Sequence, residues 1–78
     1  MSAAKRRKVD SELVITIGKN MNRIRKEKNI TTEMLGDMVN LHFATINKYE
    51  RGLVNISMKS LENIANALGV SVEELIKK

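Results

Sequence analysis

Residues Thr32 to Arg51 read TEMLGDMVNLHFATINKYER, and this stretch decides the fold. Its apolar positions are Leu35, Val39, Leu41, Ile46 and Tyr49. Leu35 and Val39 are four apart, and Ile46 and Tyr49 are three apart, so each pair shares one face of a helix. The spacing predicts two short helices joined by a tight turn. Gly36 leaves room for a close helix crossing. Asn40 occupies the bend, and asparagine is one of the few non-glycine residues that accept a left-handed backbone. Leu41 plugs the corner. His42 can cap the second helix, whose outward positions are then Phe43, Ala44, Asn47, Lys48 and Arg51.

Beyond this stretch, Gly52 ends the helix and Leu53 to Ile56 form a loop. Ser57 caps a fourth helix carrying Met58, Leu61, Ile64, Ala65 and Leu68 at helical spacing, and Gly69 stops it. Ser71-Val-Glu-Glu74 is a capping box that opens a short fifth helix with Leu75 and Ile76. On the N-terminal side, Thr31 caps the second helix, Ile30 packs inward and Asn29 stops the first helix. That helix carries one apolar stripe: Leu13, Ile17, Met21 and Ile24. Asp10 or Ser11 caps it. Gly18 inside it costs about 1 kcal/mol relative to alanine. It marks either close packing or a break, in which case the regular helix begins near Ile15. The methionines fall mainly at core spacing.

With 78 residues the chain has room for one domain and one modest core. It has no cysteine, so neither a disulfide nor a thiolate metal site can support it. The lack of proline and the presence of only Phe43 and Tyr49 as aromatic residues favour an all-helical fold over a sheet. No apolar run approaches a membrane span, which makes a cytoplasmic protein the expectation.

The formal charge is +5, unevenly spread. Lys5, Arg6, Arg7 and Lys8 hold four of the fourteen basic residues; the remaining ten face nine acidic ones. Lys19, Arg23, Arg25, Lys26 and Lys28 oppose only Glu27 between Leu13 and Ile30. Much of that charge suits the C-terminal end of the first helix dipole. A positive N-terminal half fits a polyanionic partner, without distinguishing DNA from RNA or an acidic lipid surface. Residues 1–9 contain nothing that could bury a face and read as a disordered basic arm ahead of a domain over 10–78. KRRKV is a DNA-reaching arm, a passive solubilising tail or, third in order, a nuclear import signal.

The order of apolar, small and turn positions, the ERG closing the third helix, and the IANALGVSVEEL run resemble the lambda-repressor/Cro-like (XRE) helix-turn-helix family. The resemblance runs from about Ile17 to Leu75. It implies an all-α, compact five-helix DNA-binding domain in which helices 2 and 3 form the helix-turn-helix. Asn40 departs from the usual glycine, Gly36 from the usual alanine and Thr32 from the usual glutamine. The ERGLVNIS segment and small size also resemble restriction–modification controller proteins.

What the resemblance implies for sites is specific. The third helix enters the major groove, with Phe43, Ala44, Thr45, Asn47 and Lys48 facing bases. Lys48 can donate to guanine and Asn47 can pair with adenine, while Phe43, Ala44 and the Thr45 methyl can pack on thymine methyls. Phe43 has an equal alternative, folded back onto the core. Thr32, Arg51, Asn55, Ser57 and Lys59 are the phosphate-contact set. Arg25 and Glu50 are expected to pair across the first and third helices, locking the reading helix to its scaffold. Val70, Val72, Leu75 and Ile76 offer more apolar surface than a short terminal helix readily buries alone, which points to a dimer interface; the alternative is closure of one subunit's own core.

No catalytic constellation is legible. His42 is the sole histidine and has no companion ligand or nucleophile, the acids are dispersed, and there is no glycine-rich phosphate cradle. No metal, cofactor, membrane or small-molecule ligand is expected. The leading expectation is a sequence-specific regulator binding double-stranded DNA as a homodimer on a palindromic operator, in a prokaryotic or phage setting. An antitoxin-type interaction module and a basic membrane binder are the competing classes.

Overall fold

The computed structural model describes residues 11–78, and the elements follow the order α1 (Ser11–Glu27), α2 (Thr32–Val39), α3 (Phe43–Glu50), α4 (Met58–Leu68) and α5 (Val72–Ile76). The basic run Lys5–Lys8 and the Asp10 cap lie outside the described residues. Each helix places at least one side chain in a common core. Met21 of α1, Leu35 of α2, Ile46 of α3, Ile64 and Leu68 of α4, and Leu75 of α5 are all essentially inaccessible. Burying each such side chain contributes about 1.5–3 kcal/mol. α1 packs on α3 and α5, while α2 packs on α3 and α4, so α3 is held from two sides.

The helix ends are set locally. Thr31, Ser57 and Ser71 each accept an N–H from three residues on, satisfying a donor the first turn leaves free. α1 ends as Asn29 turns left-handed (φ 59°) and Ile30 N–H returns to the Arg25 carbonyl at 3.0 Å. Gly69 does the same after α4, with φ 73°.

Gly18 resolves to close packing, and three other expectations change. α1 runs unbroken through Gly18, because the missing side chain serves contact between elements. A Cβ there would sit 2.4 Å from the Tyr49 carbonyl oxygen and 2.6 Å from that of Glu50. The buried stripe begins at Val14, and Leu13 is half exposed. At 17 residues, α1 outruns the eight-residue α3. Its first two turns instead neighbour Gly52, against Ile15, and Lys78, which pairs with Glu12. Met34, Met38 and Met58 are exposed, leaving Met21 as the core methionine among the described residues. Met34 and Met38 share the α2 face adjacent to buried Leu35, so helical spacing alone did not fix which stripe faced inward.

The third change concerns α5. Leu75 has no accessible surface and belongs to the same cluster as Met21, Ile64 and Leu68. It is therefore removed from the expected dimer surface. A five-residue helix buries it because α1 and α4 both pack on α5. Val70 and Val72 are partly buried against the same cluster, and Ile76 remains exposed. The Asn20 amide on α1 donates to the carbonyls of Leu75 and Lys77 at 2.8 Å each. It thus satisfies acceptors that the end of α5 cannot satisfy itself.

Candidate nucleic-acid interface

The turn between α2 and α3 is built from the main chain. Asn40 is left-handed at φ 61° and ψ 44°. Leu41 N–H then donates to the Gly36 carbonyl at 2.8 Å. A Cβ on Gly36 would lie 2.4 Å from the Leu41 carbonyl oxygen. The glycine therefore admits the chain's own turn, whereas the sequence suggested a crossing helix. Half-buried Leu41 packs against the core from the corner.

α3 has a distinct inner and outer side. Ile46 is fully buried and Tyr49 partly so, which fixes the inner side. Asn47 and Lys48 are exposed, and Ala44 and Thr45 are half-buried. Phe43 is 45% exposed, so it does not fold back into the core. It stacks on the His42 ring, with centroids 4.6 Å apart and planes at 27°. His42 caps the helix through Nδ1, which accepts the Ala44 N–H at 3.1 Å. Phe43 and Asn47, like Ala44 and Lys48, are four apart and follow the helix surface together.

The residues read as phosphate contacts flank this face in the chain. Arg51, Asn55, Ser57 and Lys59 are exposed. Ser57 accepts the Ser60 N–H at 3.0 Å, which leaves its own hydroxyl proton available. Thr32 is half-buried, and its hydroxyl donates to the Glu33 carboxylate at 3.3 Å. That places a negative group beside the free N–H groups of α2 and weakens Thr32 as an anion contact.

Behind α3 lies a polar lock. Arg25 Nε donates to Glu50 Oε2 at 2.6 Å and Nη2 to Oε1 at 3.0 Å. Nη1 donates to the Ile30 carbonyl at 2.8 Å. The two side chains are only 10% and 6% exposed. A bidentate pair fixes angle as well as distance. Hydrogen bonding to Glu50 raises the Arg25 pKa above its ordinary value; burial works against this, and the charges of Glu50 and Glu33 add to the rise.

Asn22 completes the lock, its amide donating to Glu50 Oε1 at 2.8 Å. Sequence reasoning missed it. The available signal was spacing, since Gly18, Asn22 and Arg25 fall four and three apart on one face of α1. Among the described residues, no group of three or more His, Cys, Asp or Glu side chains could hold a metal ion, and no helix is long and apolar enough to cross a membrane.

Comparison with known proteins agrees with this architecture. The control protein C.BamHI of Bacillus amyloliquefaciens is 35% identical over 63 residues, covering 80% of this chain and 78% of that protein. The immunity repressor protein of Bacillus phage phi105 is 34% identical over 62 residues, covering 80% of this chain; the match spans only 43% of the repressor's length. The crystal structure of SinR, the master regulator for biofilm formation, in complex with DNA superposes with a TM-score of 0.74 at 31% identity, covering 78% of this chain and 98% of that one. A helix-turn-helix family model (HTH_3) matches residues 21–75. The chain therefore belongs to the HTH_3, XRE-type helix-turn-helix family.

Proposed function

We propose that the protein is a transcriptional regulator that binds double-stranded DNA in a sequence-specific manner, with α3 laid in the major groove. The observation carrying this reading is the contrast across α3. Its inner side is fixed by Ile46 and the Arg25–Asn22–Glu50 lock, and its outer side leaves Phe43, Asn47 and Lys48 in solvent. Rigid support behind exposed donors and apolar groups is what base reading needs. The DNA in the SinR structure and the repressor and control roles in the relatives' names support the same reading.

In this reading Lys48 and Asn47 donate to base edges, and Phe43, Ala44 and the Thr45 methyl contact thymine methyls. Arg51, Asn55, Ser57 and Lys59, all beyond the end of α3 in the chain, hold phosphates. The basic run at Lys5–Lys8 adds sequence-independent attraction. Ile76, with the partly buried Val70 and Val72, supplies the apolar surface for a homodimer. A two-fold pair of α3 helices about 34 Å apart would read a palindrome.

Selection from a random duplex pool tests all of this together. The expected result is one enriched, two-fold symmetric motif whose binding weakens steeply with salt. Enrichment of an asymmetric motif would remove the dimer, and no enrichment would remove the regulator.

A further inference from the structure

We infer that His42 contacts DNA through its outer ring nitrogen, in addition to capping α3. This rests on the reading of α3 as the groove helix. Nδ1 accepts the Ala44 N–H at 3.1 Å and so carries no proton. In the neutral imidazole the proton is then on Nε2, which makes that atom a donor. Among the described residues no hydrogen bond uses His42 Nε2, and the residue is exposed. The cap on one edge and the Phe43 ring stacked at 4.6 Å set the orientation of the imidazole.

A fixed donor therefore stands at the leading end of the helix, the end whose residues reach base edges in this mode of docking. Capping alone does not call for an imidazole, since serine or asparagine serves as well or better. The acceptor that fits is a lone pair on duplex DNA, either purine N7 or a phosphate oxygen. Phe43 offers its exposed ring beside that donor, suited to a thymine methyl next to the contacted position.

The test separates the two jobs of His42. His42→Ser keeps a capping oxygen and removes the distal donor; His42→Ala removes both. The expected result is a serine variant that unfolds at nearly the wild-type temperature yet binds the selected duplex about five- to tenfold more weakly. Scanning that duplex with 7-deazapurines and with methylphosphonates names the acceptor: one substitution should weaken the wild type and leave the serine variant unaffected. As the sole histidine, His42 also gives one unambiguous imidazole signal set. Its Nε2 proton should become protected from exchange on adding the duplex, a readout that needs no variant to fold. Equal binding by the serine variant, or an Nε2 proton exchanging as fast with DNA as without, overturns the contact while leaving the regulator standing. A wild type that enriches no duplex overturns both.

Discussion

Two interfaces of the same small molecule are held by different physics. Between α1 and α3 the shared apolar core carries a polar, directional addition: Gly18 against two carbonyls, and Arg25 and Asn22 on one carboxylate. Where α4 and α5 close on the rest, the contact is mainly apolar, made by Leu61, Ile64, Ala65, Leu68 and Leu75, with the Asn20 amide on the last carbonyls of α5 as its polar part. Apolar burial tolerates small shifts, since its energy follows area. A bidentate ion pair only 10% and 6% exposed does not, since its energy follows geometry and a partnerless charge inside is costly. The α1–α3 interface therefore spends stability on orientation, and α3 is the helix whose orientation the proposed function requires.

The largest test of that difference is Glu50→Ala. It strands Arg25 and frees the Asn22 amide, and unfolding in urea should show a loss of about 3–5 kcal/mol. A loss below 1 kcal/mol would mean the lock contributes little. Next in size is Lys48→Ala, expected to cost about 1–3 kcal/mol on the selected duplex while changing binding to random DNA far less. Arg51→Ala should instead weaken both alike and flatten the salt dependence. Equal losses for Lys48→Ala on the two DNAs would reassign it to the backbone.

On the apolar side, Ile64→Val should cost only about 0.5–1.5 kcal/mol and leave the sequence preference of binding unchanged. The smallest shift in stability is expected from the triple change Arg25→Met, Asn22→Leu and Glu50→Leu. Replacing all three side-chain partners of the lock with apolar groups should hold stability within about 1 kcal/mol of wild type. Its discrimination between the selected and random duplexes should nevertheless fall, and full retention would show that packing alone orients α3.

The stretch Thr32–Arg51 was legible in the sequence because its signals are local. Asn40 at the bend, caps at Thr31, His42 and Ser57, and stops at Gly52 and Gly69 each act within a few residues. The choice of inward face was less legible. Met34, Met38 and Met58 keep helical spacing yet stay in solvent, and Val14 rather than Leu13 heads the stripe. Those outcomes depend on which neighbour lies opposite, and periodicity does not contain that information.

Asn20 and Asn22 were hidden for the same reason. A polar residue on a helix resembles a solvated one until a partner 28 or 55 residues away is brought to it. Gly18 posed a choice between break and close approach, and only the position of Tyr49 decides it. The outward face of α3 was readable as a pattern. The stacking of Phe43 on His42 was not, since adjacent aromatic rings can equally well diverge.

Gly18 carries one more consequence. Where the main chain of one helix rests on the main chain of another, the seating of α3 is independent of the side chains it displays. The exposed positions 43, 47 and 48 can then be rewritten without disturbing the mount. Under the proposed function, a molecule built this way is a holder with an interchangeable key, able to acquire a new DNA address through a few surface substitutions while its foundations stay as they are.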